Sequence, residues 1–178
     1  INSERADYVK RWDEFEFLPG VLPALELLAT RQIPTFIATN QSVIGRNIVG
    51  SADIHAIHDK MLSIIRTTGL EIEAIFVCPH HPDDQCSCRK PAPGMLVQAA
   101  DIYGLDLSEC VFVGDSTTDH QAAMNCGCRS ILVRSGRQGD MLEGYLASAN
   151  ARQRNAGYRV APLVADLAAA IRYSIENY

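Results

Sequence analysis

The sequence predicts an α/β protein in which a parallel sheet lies between two layers of helices, a three-layer doubly wound fold. Short apolar runs alternate with amphipathic segments along the chain, which is the pattern of repeated βαβ units. Of the 178 residues, 47% are hydrophobic, and no repeat, linker or long insertion divides the sequence. We therefore expect residues 1–178 to form a single domain without a large cap domain.

Helices are predicted where apolar side chains recur at spacings of three and four residues. In chain order they are residues 20–30, residues 53–68, a segment that Pro91 and Pro93 open and that runs through Tyr103, a segment through Ala122 and Ala123, and residues 165–176. Gly69 suits the C-terminal cap of the second helix. The segment 136–157 is rich in Gly, Asn and Arg, and we expect a surface loop or a short helix there.

Strands are predicted at short apolar runs, namely residues 33–39, 73–78, 110–115 and 130–135, with a weak strand near 160–164. Polar residues follow the earlier strands: the run 39–42, then Cys78, then Asp115. Parallel strands present their carboxyl ends at one edge of the sheet, where α/β proteins bind ligands. The sequence therefore predicts a functional site at this edge.

A group of metal ligands lies in the loop that follows the second strand. Cys78 and His80 have the spacing Cys-x-His, and Cys86 and Cys88 follow as Cys-x-Cys. Three thiolates and one imidazole complete the tetrahedral shell of Zn²⁺ and leave no open position, so the predicted site is structural. His81 is an alternative to His80, although a solvated side chain is the simpler interpretation of His81.

Cationic and acidic residues next to this loop suggest an anion site with a second metal. Arg89 and Lys90 follow the last zinc ligand directly, so a rigid loop would present both charges to a phosphate, although such a pair is often a solvated surface feature. The run 39–42 offers hydroxyl and amide donors, or forms a turn. Asp115 and Asp119 are suited to Mg²⁺, and the alternative for Asp115 is the N-cap of the next helix.

The composition excludes some classes of partner. The net charge of −5 comes from 21 acidic and 16 basic residues, so we expect neither nucleic acid nor an anionic membrane as a partner. The first residues are polar and the longest apolar run, 160–171, is too short to span a bilayer. We expect a cytoplasmic monomer that acts on a small phosphorylated sugar or metabolite.

The sequence contains ATNQS (38–42), CRKPAPGM (88–95) and VGDSTTD (113–119), in that order. These three stretches resemble the second, third and fourth motifs of the haloacid dehalogenase-like phosphatase superfamily. The zinc loop is similar to that of the D-glycero-D-manno-heptose 1,7-bisphosphate phosphatases, whose near relatives are histidinol-phosphate phosphatases. The stretches 7–21 and 131–136 also look like the heptose group. The resemblance implies a phosphatase that removes the C7 phosphate through an aspartyl-phosphate.

The resemblance also implies a role for each matching residue. Thr39 and Asn40 would bind the transferring phosphoryl group, and Lys90 would neutralise its charge. Asp115 would hold Mg²⁺ with support from Asp119. The residues that would contact substrate are Gln41, Ser42, Arg46 and Arg89.

Some positions depart from the pattern of the family. Val43 and Asn47 replace glycines, and Ser116 stands where heptose enzymes commonly have lysine. These differences leave the identity of the sugar substrate undetermined. No aspartate stands two positions from another, so the Asp-x-Asp nucleophile motif is not in this sequence. Because the chain opens on "IN", which follows that motif in relatives, we expect a preceding strand that carries it. The alternatives are a phosphatase of histidinol phosphate or another phosphomonoester, and a catalytically silent zinc-stabilised module.

Overall fold

The computed structural model of the protein describes residues 1–136, 138–155 and 160–178. The chain divides into two compact units, residues 1–89 and residues 90–178, which are described in turn. Within the described ranges, no helix has the length and apolar character that crossing a membrane requires. The expectation of a single domain stays a prediction.

The first unit contains a two-stranded parallel sheet. Its elements are, in chain order, α1 (Val21–Thr30), β1 (Thr35–Asn40), the short α2 (Ser42–Gly45), α3 (Ser51–Arg66) and β2 (Ile72–Cys78), with 3-10 turns at Trp12–Glu14 and Pro82–Asp84. The strands pair in parallel so that Asn40 lies opposite Cys78. One core cluster joins α2 to α3 through Val43, Ile54 and Ile57. The sheet edge thus brings the polar run 39–42 beside the start of the metal loop.

The second unit contains a three-stranded parallel sheet. Its elements are α4 (Gly94–Tyr103), β3 (Val111–Gly114), α5 (Thr117–Asn125), β4 (Arg129–Val133), α6 (Gly139–Asn155), β5 (Leu163–Val164) and α7 (Leu167–Asn177). The strand order is β3-β4-β5, and both pairings are parallel. Ile131 and Val133 of β4 pack with Ala170 of α7 in the core. The predicted α/β class with parallel strands is confirmed.

The segment 136–157 differs from its prediction, because most of it is the 17-residue helix α6 rather than a loop or a short helix. Leu142 and Leu146 of this helix are buried against Leu132 and Ala161. Their spacing of four residues puts both on one helix face. The prediction was wrong because two apolar anchors suffice for burial in a segment whose overall composition is polar. Residues 137, 156 and 157 lie outside the described residues.

Candidate active site

The four predicted zinc ligands lie together in the loop after β2. The Sγ atom of Cys86 is 3.6 Å from that of Cys78 and 3.5 Å from that of Cys88, and His80 Nδ1 is 3.2 Å from Cys88 Sγ. All four ligand atoms lie within 4.8 Å of one another. A tetrahedron with Zn–S bonds of about 2.3 Å has edges of about 3.8 Å. The donor set and its spacing therefore fit one Zn²⁺ in a closed, structural site.

His81 has a different task from that of His80. The ring Nδ1 of His81 accepts a hydrogen bond from the backbone N–H of Asp83 at 3.3 Å. The backbone N–H of His81 donates to the Asp84 carboxylate at 2.8 Å. This reciprocal pair caps the 3-10 turn Pro82–Asp84. His80 is thus the imidazole of the cluster, and His81 shapes the loop.

Backbone contacts join the metal loop to the turn that follows β1. The N–H of Gln41 donates to the carbonyl of Cys78, and the N–H of Gly45 donates to the carbonyl of Pro79, both at 2.8 Å. A Cβ on residue 45 would lie only 2.5 Å from the backbone nitrogen of His81, so only glycine allows this approach. A metal bound in this loop would therefore be linked through backbone hydrogen bonds to the end of β1.

The polar run after β1 is partly exposed and partly buried. Thr39 and Asn40 end the strand, and the Gln41 amide donates to the Thr39 hydroxyl at 3.2 Å. Ser42 is buried as the first residue of α2, whereas Arg46 is exposed at its C-cap. The structure therefore groups Thr39, Asn40 and Gln41 at the strand end, with Arg46 one helical turn farther along the chain.

The guanidinium of Arg89 has a buried hydrogen-bond donor. Its Nη1 atom is buried and has no hydrogen-bond partner within the described parts of the chain. A buried donor without a partner costs about 1–3 kcal/mol, and more when the group is charged. An anion at this position would remove that cost, and the substrate role of Arg89 stays a prediction.

Lys90 is held in place from two sides. Its ammonium lies 2.7 Å from Oδ1 of Asp119, and the two side chains are only 13% and 6% exposed. The same ammonium lies 5.4 Å from the centre of the Phe112 ring, a cation–π contact. Lys90 is therefore a fixed positive charge beside the end of β3.

The second carboxylate oxygen of Asp119 is occupied by the start of α5. Oδ2 accepts hydrogen bonds from the N–H of Asp115 at 3.2 Å, from the N–H of Ser116 at 3.1 Å and from the Ser116 hydroxyl at 2.6 Å. Ser116, not Asp115, is the N-cap of α5 and forms a capping box with Asp119. The N-cap alternative for Asp115 was wrong.

Asp115 is left as the carboxylate available to a cation. It follows Gly114 at the end of β3, and its side chain keeps an exposed face. Even so, the surrounding chain raises the pKa of Asp115 by removing water, and the nearby Asp119 carboxylate raises it further. A divalent cation at Asp115 would offset this repulsion, so the site fits Mg²⁺.

Each position that departs from the family pattern has a defined place in the local structure. Val43 is buried in the core cluster with Ile54 and Ile57. Asn47 adopts φ +55°, a left-handed conformation that glycine adopts freely and that asparagine tolerates better than most other residues. The capping role of Ser116 was missed in the sequence, although Ser116 and Asp119 have the spacing of a capping box.

The chain is similar in sequence to known proteins. The model of the haloacid dehalogenase-like hydrolase family matches residues 1–127, and a model of HAD-hydrolase-like proteins matches residues 87–170. A D-glycero-beta-D-manno-heptose-1,7-bisphosphate 7-phosphatase of Bordetella bronchiseptica is 42% identical over 150 residues, which cover 81% of this chain and 84% of that protein. The enzyme of the same name from Pseudomonas aeruginosa is 41% identical and covers 77% of each chain.

A solved structure extends the similarity to the fold. The crystal structure of the D,D-heptose 1,7-bisphosphate phosphatase from B. bronchiseptica, complexed with magnesium and phosphate, matches with a TM-score of 0.84 and 37% identity. The match covers 100% of this chain and 94% of that chain. The chain belongs to the haloacid dehalogenase-like hydrolase family.

Proposed function

We propose that the protein is a Mg²⁺-dependent phosphatase that hydrolyses the C7 phosphate of D-glycero-β-D-manno-heptose 1,7-bisphosphate. The observation that carries this proposal is the group formed by Lys90, Asp119 and Asp115, a fixed cation next to a carboxylate suited to a metal. The relatives at 42% and 41% identity bear the name of this activity, and both are named for the β anomer.

Asp115 would hold Mg²⁺ at the carboxyl end of β3. When bound, the ion supplies positive charge to the phosphoryl oxygens, whose charge must be neutralised during transfer. The sequence also assigned Asp119 to the metal, but its Oδ1 contacts Lys90 and its Oδ2 accepts the N-cap hydrogen bonds. We therefore propose that Asp119 supports the metal site indirectly, by fixing Lys90 and the start of α5.

Lys90 acts as a permanent countercharge to the transferring phosphoryl group. Because its ammonium is already paired with Asp119 and placed against Phe112, little side-chain entropy is lost when a phosphate arrives. Preorganised charge of this kind contributes most of the rate in phosphoryl transfer, where positioning and electrostatics dominate.

The donors after β1 have the chemistry to bind phosphoryl and sugar oxygens. Thr39 and Asn40 are proposed to bind the phosphoryl group, and Gln41 and Ser42 to contact substrate. Gln41 is held by its hydrogen bond to Thr39, whereas the burial of Ser42 favours a role through its position in α2.

Two arginines have the charge to bind the second phosphate of a bisphosphate. Arg89 brings a buried donor without a partner in the described chain, which favours a direct contact with an anion. Arg46 is exposed and would add charge. The covalent step requires an aspartate of an Asp-x-Asp pair, and none of residues 1–178 is assigned to it.

Phosphate release from a panel of substrates tests this function. The panel contains both anomers of the heptose 1,7-bisphosphate, the corresponding 7-phosphate and histidinol phosphate, each with and without Mg²⁺. We expect the β-bisphosphate to have the highest kcat/KM, with turnover only when Mg²⁺ is present. A preference for histidinol phosphate would contradict the proposed substrate assignment. The absence of turnover on every compound would support the alternative of a catalytically silent module.

A further inference from the structure

We propose that Gly136 and Gln138, in the loop between β4 and α6, are positioning residues that fix the Asp115 carboxylate in the orientation that Mg²⁺ requires. This inference rests on the proposed role of Asp115 as the metal ligand. Gly136 ends a stretch that resembles heptose phosphatases, and neither residue has a role in the resemblance. Their contacts with the Asp115 segment assign one.

Gly136 lies directly against the Asp115 side chain. A Cβ placed on residue 136 would overlap the Cβ, Cγ and Oδ2 atoms of Asp115. The φ angle of Gly136 is outside the left-handed region, so glycine is needed here for space and not for its backbone conformation. Steric contact with the Gly136 backbone thus limits the rotamers that the Asp115 side chain can adopt.

Gln138 contacts the segment that follows Asp115. Its Oε1 atom accepts a hydrogen bond of 2.9 Å from the N–H of Thr117, the first residue of α5. This N–H belongs to the first turn of the helix, where backbone donors have no partner within the helix itself. Gln138 therefore fixes the backbone two residues beyond Asp115, while Gly136 restricts the side chain of Asp115.

Gln138 is attached through α6 to the core of the second unit. The N–H groups of Met141 and Leu142 donate to the carbonyl of Gln138 at 2.8 and 3.0 Å, which ties Gln138 to the first turn of α6. Leu142 is fully buried in the core cluster around Leu132. Through these contacts the position of Gln138 depends on the packed core around Leu132.

Mutation of these residues is expected to weaken Mg²⁺ binding more than it destabilises the fold. Mg²⁺ demands near-ideal octahedral geometry at about 2.0–2.1 Å, so a small displacement of one carboxylate weakens its binding. Residues that orient a metal ligand typically change metal affinity by about 10–100-fold when they are mutated. We expect Gly136→Ala to have an effect in this range.

The test measures Mn²⁺ binding to the full chain by electron paramagnetic resonance, with Mn²⁺ as the probe of the Mg²⁺ site. Gly136→Ala is expected to raise the Kd for Mn²⁺ about tenfold or more. Its kcat should recover at saturating Mg²⁺, which a general loss of folding would not allow. Gly144→Ala is the matched control, because a Cβ on this exposed residue of α6 meets nothing within 4 Å. An unchanged Kd in Gly136→Ala would overturn the proposal.

Two further variants keep the result decisive if Gly136→Ala fails to fold. Gln138→Ala removes only the acceptor for Thr117 and should raise the Kd about three- to tenfold, the equivalent of one hydrogen bond. Gln138→Glu keeps an acceptor and should restore tight binding. Equal, wild-type affinities in both variants would contradict the proposal. Asp115→Asn is the reference: if it leaves Mn²⁺ binding unchanged, the metal assignment itself is wrong.

Discussion

The ammonium of Lys90 lies 2.7 Å from Oδ1 of Asp119, and both side chains are largely withdrawn from solvent. Asp119 in turn accepts hydrogen bonds at Oδ2 from the residues that begin α5. One carboxylate thus connects the cation of one motif to the helix start of another. Mutation of Lys90 should therefore have two distinct effects. It removes a charge needed for turnover, and it removes the buried partner of Asp119, which is needed for stability.

Replacing Lys90 should affect both properties. Lys90→Ala is expected to lower kcat by about 10²–10³-fold, the range for loss of one preorganised charge or donor. It should also lower the melting temperature, because a buried carboxylate without its partner costs about 3–5 kcal/mol. The double variant Lys90→Ala/Asp119→Asn should regain part of the stability and none of the activity. Recovery of turnover in the double variant would show that Lys90 acts only through the fold.

Replacing Asp115 should stabilise the metal-free protein while it abolishes the response to Mg²⁺. The pKa of Asp115 is raised in the fold by burial and then by Asp119, so its ionised form is disfavoured there. Above that raised pKa the charge costs stability, and the cost disappears as the pH falls toward the ordinary value of 3.8. At pH 7 without Mg²⁺, Asp115→Asn should therefore melt at a higher temperature than the wild type.

Calorimetric scans with and without Mg²⁺ check this prediction. Added Mg²⁺ should raise the melting temperature of the wild-type protein and leave that of Asp115→Asn unchanged. A variant that Mg²⁺ still stabilises to the wild-type extent would place the metal elsewhere.

Removing one zinc ligand should release the metal and destabilise the loop. Cys86→Ser is expected to lose most of its bound zinc and to melt at a lower temperature, because a closed four-ligand site contributes directly to folding. His81→Ala is the matched control, since His81 caps a 3-10 turn instead of joining the cluster. Elemental analysis of the purified variants measures the zinc. If His81→Ala lost the metal and Cys86→Ser kept it, the assigned ligand set would be wrong.

Shortening Ser116 should have a modest effect on stability. Ser116→Ala removes the N-cap of α5 and should cost about 1 kcal/mol, or a lowering of the melting temperature by about 2–4 °C for a chain of this size. Ser116→Thr keeps the hydroxyl and should melt close to the wild type. A melting temperature of Ser116→Ala equal to that of the wild type would argue against the capping box.

Much of this arrangement could be predicted from the sequence because its signals are local. The ligands of the metal loop stand within a few residues of one another, and the parallel strands follow from apolar runs that end in polar residues. Helix α6 was missed because only Leu142 and Leu146 mark its buried face. The packing of Gly136 against Asp115 leaves no local pattern, since it depends on how two loops of one sheet edge meet.

The pairing of Lys90 with Asp119 shows the same limit. Each residue belongs to a recognisable motif, but nothing in the spacing says which of the two aspartates after β3 contacts the lysine. The capping box resolves this choice, because it turns Asp119 toward the helix start and leaves Asp115 exposed.

The position of the phosphate that is removed tests the central claim most directly. Phosphorus NMR of D-glycero-β-D-manno-heptose 1,7-bisphosphate, incubated with the protein and Mg²⁺, follows the C1 and C7 resonances separately. We predict that the C7 resonance is replaced by inorganic phosphate while the C1 resonance persists, and that Lys90→Ala leaves both unchanged on the same timescale. Loss of the C1 phosphate, or persistence of both phosphates with the wild-type protein, would contradict the account.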